Sequence, residues 1–151
     1  MFTWYLVLKW IHIFAAITAV GANITYGVWN ARSQSDPAHL GFALKGIKFI
    51  DDRIANPAYG VVLLTGLIMV FAGSWGFKLW VVLALILFVI MAVLAVAVYS
   101  PVLRKMIQAV DAGSTASAEF AGMLRQNRIL GPVFGVIVAL ILVMMVFKPS
   151  L

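Results

Sequence analysis

Lys9 and His12 stand three residues apart near the start of the chain, inside an otherwise apolar stretch. Side chains at i and i+3 share one face of a helix, and the helical rise sets the imidazole about 4.5 Å further along the axis than the ammonium. An imidazole in apolar surroundings either donates to a backbone carbonyl or ligates a metal; an ammonium beside it either reaches for headgroups or pairs with an anionic ligand. Steps of three and four extend the face to Tyr5, Lys9, His12, Ala16, Ala19, Asn23, Tyr26 and Asn30, a line that every large aliphatic residue of the segment avoids. A polar stripe edged by small residues faces other helices.

Other chemistries are closed off by composition. There is no cysteine, so disulfides, thiolate metal sites, iron–sulfur clusters and covalent haem attachment are excluded. Two histidines and five acids cannot build a large polar active site, and no carboxylates are spaced as an acid–base pair. His39 reads as a surface histidine in a connecting link. Asp51-Asp52-Arg53 reads as a solvated, locally paired rim.

The elements that position the stripe follow from the charges. The chain has 151 residues, 64% hydrophobic and only 11% charged, where a soluble domain of this length carries about 25% charged residues. Residues 10–31, 54–77, 79–103 and 129–147 carry no formal charge, and about 20 helical residues cross a hydrocarbon core. The expected fold is therefore all-α: one integral-membrane four-helix bundle over residues 1–151, with spans at about 2–29, 57–73, 79–100 and 129–147. No cleavable signal peptide is evident, and the first segment is expected to be a permanent span. Gly73-Ser74-Trp75-Gly76-Phe77-Lys78 predicts a tight turn that makes spans two and three antiparallel neighbours. The other links are amphipathic. Asp36-Pro37 predicts a helix start before Leu40, Leu44, Ile47 and Ile50; residues 102–110 and 120–124 predict two further interfacial pieces, broken at Gly113-Ser114-Thr115. Gly131-Pro132 fits the first turn of span four.

The net charge of +6 has an ordinary cause in a membrane protein and points to no nucleic acid. Arg32, Lys45, Lys48, Arg53, Arg104, Lys105, Arg125 and Arg128 all fall in the two long links, which the positive-inside rule places in the cytoplasm with both termini outside. Trp4, Trp10, Trp75 and Trp80 mark the outer belt, and Trp29, Tyr59 and Tyr99 the inner one. The outer half then gathers Lys9, His12, Lys78, Trp75, Trp80, Met69, Met144 and Met145, with Met69 first, and Thr65 after it, as the span-two residues expected near the level of His12. The inner half offers Asn23, Tyr26, Asn30 and Tyr59, without a strong nucleophile or acid–base pair.

Lys9-Trp10-Ile11-His12, followed by Gly21, resembles the Lys-x-x-His opening of HemJ-type and CopD-like bacterial membrane proteins, and Trp75-Gly76-Phe77-Lys78-Leu79 resembles a later HemJ helix start. The whole chain, with Asn56-Pro57, Thr65-Gly66 and Ser100-Pro101, is most similar to an uncharacterised family of predicted integral membrane proteins. The HemJ resemblance implies b-type haem and protoporphyrinogen oxidation; the CopD resemblance implies copper uptake. The HemJ pattern carries a further histidine after the lysine-led helix start, and residues 83–91 contain none.

Three readings follow. In the first, His12 is an axial ligand of haem b or a porphyrin, Lys9 and Lys78 meet the propionates, and the sixth position falls to Met69, water, or the His12 of a second copy in a homo-oligomer. In the second, His12 and Met69 with Met144 and Met145 handle copper, since imidazole and thioether suit Cu(I). In the third, the chain is a non-catalytic subunit of a larger membrane complex. In all three the lipid bilayer is the first partner, and the expected location is the bacterial inner membrane.

Overall fold

The structure, a computed structural model, describes residues 3–73 and 76–149. It is helical, with no strand among the described residues. Among the described residues six α-helices follow in order: α1 Trp4–Ser35, α2 Leu40–Ile50, α3 Asn56–Ala72, α4 Leu79–Leu94, α5 Ser100–Asp111 and α6 Ala118–Phe147. They combine into four rods long and apolar enough to cross a membrane, Trp4–Ser35, Pro37–Ala72, Leu79–Asp111 and Ala118–Phe147. The start of α1 lies beside the end of α3, and the end of α6 beside the start of α4; the two basic links form the opposite end, hereafter the basic end.

The expected amphipathic connecting helices are α2 and α5, with the expected break at residues 112–117, and each continues directly into a span. α2 runs into α3 through the π-helical turn Asp51–Ala55, and α4 runs into α5 through the π-helical turn Ala95–Tyr99. Each π turn ends just before a proline at the second position of the next helix, Pro57 or Pro101. A proline offers no amide hydrogen and crowds the carbonyl four residues back, so the helix widens locally instead of stopping. Pro132 likewise lies deep inside α6 rather than in its first turn, because Ser117 caps that helix 15 residues earlier by accepting from the Phe120 amide at 3.1 Å. Asp36-Pro37 does open a helical turn, Pro37–His39.

α1 packs along α3 and α4 along α6, while α2 against α5 and α1 against α6 close the basic end. Ala15, Ala19 and Ala22 are the buried small residues of α1, which lets a neighbouring backbone come near; Ala16 is only half-buried. The most deeply buried large side chains, Leu44, Ile47, Leu103 and Met106, belong to α2 and α5. There Gly41 permits the crossing: a Cβ on it would stand 2.9 Å from Val110 Cγ1. Lys45 and Asp111 bridge the same two helices at 2.7 Å. α3 and α4 stand side by side, touching through the rings of Tyr59 and Phe88 and flanking a crevice, while the closer backbone packing among the described residues is of α1 on α3 and α4 on α6. Ser74 and Trp75 of the intervening turn lie outside the described residues.

Candidate functional site

The α1 stripe meets α3 at two levels. Towards the terminal end, His12 Nδ1 lies 2.8 Å from Thr65 Oγ1. The Thr65 hydroxyl has one proton, and it is directed at the Val61 carbonyl at 2.6 Å. The oxygen therefore accepts from the imidazole, which fixes the proton on Nδ1 and leaves the lone pair on Nε2. Gly66 makes room for the ring: a Cβ there would stand 3.1 Å from His12 Cε1. Thr65 is buried and His12 half-buried.

The other sequence-derived candidates stand on α1, α3 and α6 and at the start of α4. Met69 is half-buried one turn beyond Thr65, on the same face of α3. Lys9 is exposed one turn before His12, and Lys78 is exposed at the N-cap of α4. Met144 and Met145 are half-buried near the end of α6. His39 is at the basic end, bonded to Asp36 at 2.6 Å, and cannot share a ligand with His12. No three His, Cys, Asp or Glu side chains converge among the described residues.

At the second level the stripe opens into a cavity of about 570 Å³ at the basic end, bounded by α1, α3, α4 and α6 and by both π turns. Asn23 donates to the Ala19 carbonyl at 3.3 Å and to the Tyr59 hydroxyl. Tyr26 donates to Asp51 at 3.3 Å, and Asn56 donates to the same carboxylate at 3.5 Å. Tyr26 and Tyr99 stack at 6.3 Å, Tyr99 meets Phe134 edge-on at 5.7 Å, and Tyr59 meets Phe88 edge-on at 6.1 Å. Asn127 of α6 donates to Asn30 Oδ1 at 2.9 Å, pinning α6 to α1.

Asn23, Tyr26, Asn30 and Tyr59 are legible from the helical period. Asp51, Asn56, Tyr99 and Asn127 are not. Asp51 is half-buried against the cavity rather than part of a solvated rim, whereas Asp52 pairs with Lys48 and Arg53 is exposed. The available signal was the pair of X-Pro steps, Asn56-Pro57 and Ser100-Pro101, which generate the π turns carrying Asp51 and Tyr99. Such turns recur at functional sites.

Residues 6–149 match the family described as predicted integral membrane protein (DUF2269). The chain belongs to that family. No curated protein and no solved structure matches it. The DUF2269 match spans all four apolar rods, so His12, Thr65, Gly66 and the basic-end cavity all fall within the family region.

Proposed function

We propose that this DUF2269 protein binds b-type haem or a related porphyrin, with His12 as axial ligand. The observation behind this reading is the Nδ1–Thr65 hydrogen bond. A ligating imidazole ordinarily donates its other ring N–H to a fixed acceptor, which sets the tautomer and the ring orientation, and Thr65 with Gly66 supplies that acceptor and the clearance. The residues present suit one axial ligand. Lys9 and Lys78, both at the terminal end, suit carboxylate side arms, and Met69 offers a thioether one turn beyond Thr65. Bound haem would supply one-electron redox chemistry; the chain's own part is to hold and orient it. By the positive-inside rule the basic end faces the cytoplasm of a bacterial inner membrane and both termini lie outside.

The test is an absorption spectrum of the purified protein, air-oxidised and then dithionite-reduced. A Soret band that sharpens on reduction, and is lost in His12→Ala but kept in His39→Ala, supports the site. A full haem complement in His12→Ala rejects it. A blank spectrum with stoichiometric copper selects copper handling instead, and a blank spectrum with no metal selects a non-catalytic subunit of a larger complex.

A further inference from the structure

The basic-end cavity has a chemistry of its own, independent of His12. Among the described residues, Asp51 is the only formally charged side chain along its wall. Its carboxylate receives only the two long contacts from Tyr26 and Asn56, so most of its acceptor capacity is unused. Of the basic side chains flanking Asp51 in sequence, Lys48 pairs with Asp52 and Arg53 is exposed. Tyr26, Tyr59 and Tyr99 line the same cavity as the Asp51 carboxylate, and aromatic rings attract a cation and not an anion. Tyr99 is 6% exposed, lines the cavity, and its buried hydroxyl has no hydrogen-bond partner. A polar atom buried this way costs free energy unless a ligand or water meets it.

The cavity changes character along its length. Away from Asp51 its wall becomes aliphatic, and at Leu63 and Phe88 it adjoins a shallow, almost wholly apolar crevice between α3 and α4, the helices that do not close on each other. A ligand reaching the site from the side would come from lipid.

We propose that this cavity binds a lipophilic organic monocation, an ammonium or phosphonium group on an apolar body, with the charge against Asp51 and the three tyrosines and the body extending between α3 and α4. An anion finds no basic partner in the wall. A neutral amphiphile such as a quinone would satisfy Tyr99 but leave the carboxylate uncompensated.

The experiment measures tetraphenylphosphonium binding to the full chain in lipid nanodiscs by equilibrium dialysis against empty nanodiscs, with a short-chain ubiquinone as competitor and tetraphenylborate binding measured in separate cells. Saturable binding near one per chain is expected, weakened at least about tenfold by Asp51→Asn and unaffected by Asp52→Asn. The ubiquinone should not displace the cation at equal concentration, and tetraphenylborate alone should show no saturable binding above empty nanodiscs. Gly135→Leu is the second variant. Gly135 lines the cavity with nothing within 4 Å of its Cβ position, so leucine fills the space without displacing backbone, and binding should be lost in a protein that still elutes as a folded species. Binding at wild-type strength in both Asp51→Asn and Gly135→Leu, or displacement by the ubiquinone at equal concentration, overturns the proposal.

Discussion

A Cβ on Gly66 would stand 3.1 Å from His12 Cε1, so a glycine on α3 sets how closely the α1 imidazole can seat beside Thr65. That separation is tighter than ordinary contact, and alanine at this position must push the ring away from its acceptor. Gly66→Ala should therefore lower the thermal midpoint in detergent, at a cost of about 1–3 kcal/mol for overpacking. Gly21→Ala, where nothing lies within 4 Å, should leave it unchanged or raised. Equal midpoints for the two variants would mean the ring has freedom the packing does not suggest.

Thr65→Val removes the acceptor while keeping the shape. It should destabilise by about 1–3 kcal/mol through the stranded imidazole donor, and Thr65→Ser should recover most of the loss. Nitrogen chemical shifts of ¹⁵N-histidine give a second check. Wild type should report a neutral ring protonated at Nδ1, and Thr65→Val a mixture of tautomers; a pure Nε2–H signal in wild type would contradict the hydrogen-bond assignment.

Asn127 is 5% exposed and its amide reaches Asn30 across the α1–α6 contact at 2.9 Å. A double-mutant cycle with Asn30→Ala and Asn127→Ala should give a coupling of about 0.6–1.7 kcal/mol, the range for side-chain hydrogen bonds between membrane helices. Additive losses would show that the two amides do not interact.

Ala19 is 3% exposed and Ile17 is 65% exposed, two positions apart on α1. Ala19→Leu should separate α1 from its neighbours and cost about 1–3 kcal/mol, while Ile17→Leu should have no measurable effect on the melting midpoint. Matching midpoints would mean that the Ala19 face is not a helix contact.

Reporter fusions after Ser35 and after Thr115 should read as cytoplasmic, and fusions after Gly73 and at Leu151 as external. If the Ser35 and Gly73 reporters appear on the same side, the four-span count fails; a complete inversion of all four would set aside the charge rule for this chain.

Much of the architecture is a one-dimensional property. Four charge-free stretches interrupted by basic links leave a chain few ways to satisfy its backbone in lipid other than helices of membrane length. The 3.6-residue period then places Lys9, His12, Asn23 and Tyr26 on one face before any neighbour is known. Local sequence therefore specifies the helices, the stripe and the candidate imidazole.

What that stripe faces is a pairing property, and only the tertiary structure decides it. His12 finds Thr65 because α3 lies against α1, and Gly66 leaves room for the ring, a matter of size that counts only once two helices meet. Asp51 and Asn56 look like surface polar residues in sequence because periodicity assumes a regular helix. The π turns before Pro57 and Pro101 break that regularity, and with it the phase by which faces are counted, so Asp51 and Tyr99 turn towards a shared cavity. Composition determined that this chain crosses a membrane; the locally widened helices and the unclosed α3–α4 gap decided where it has room for a ligand.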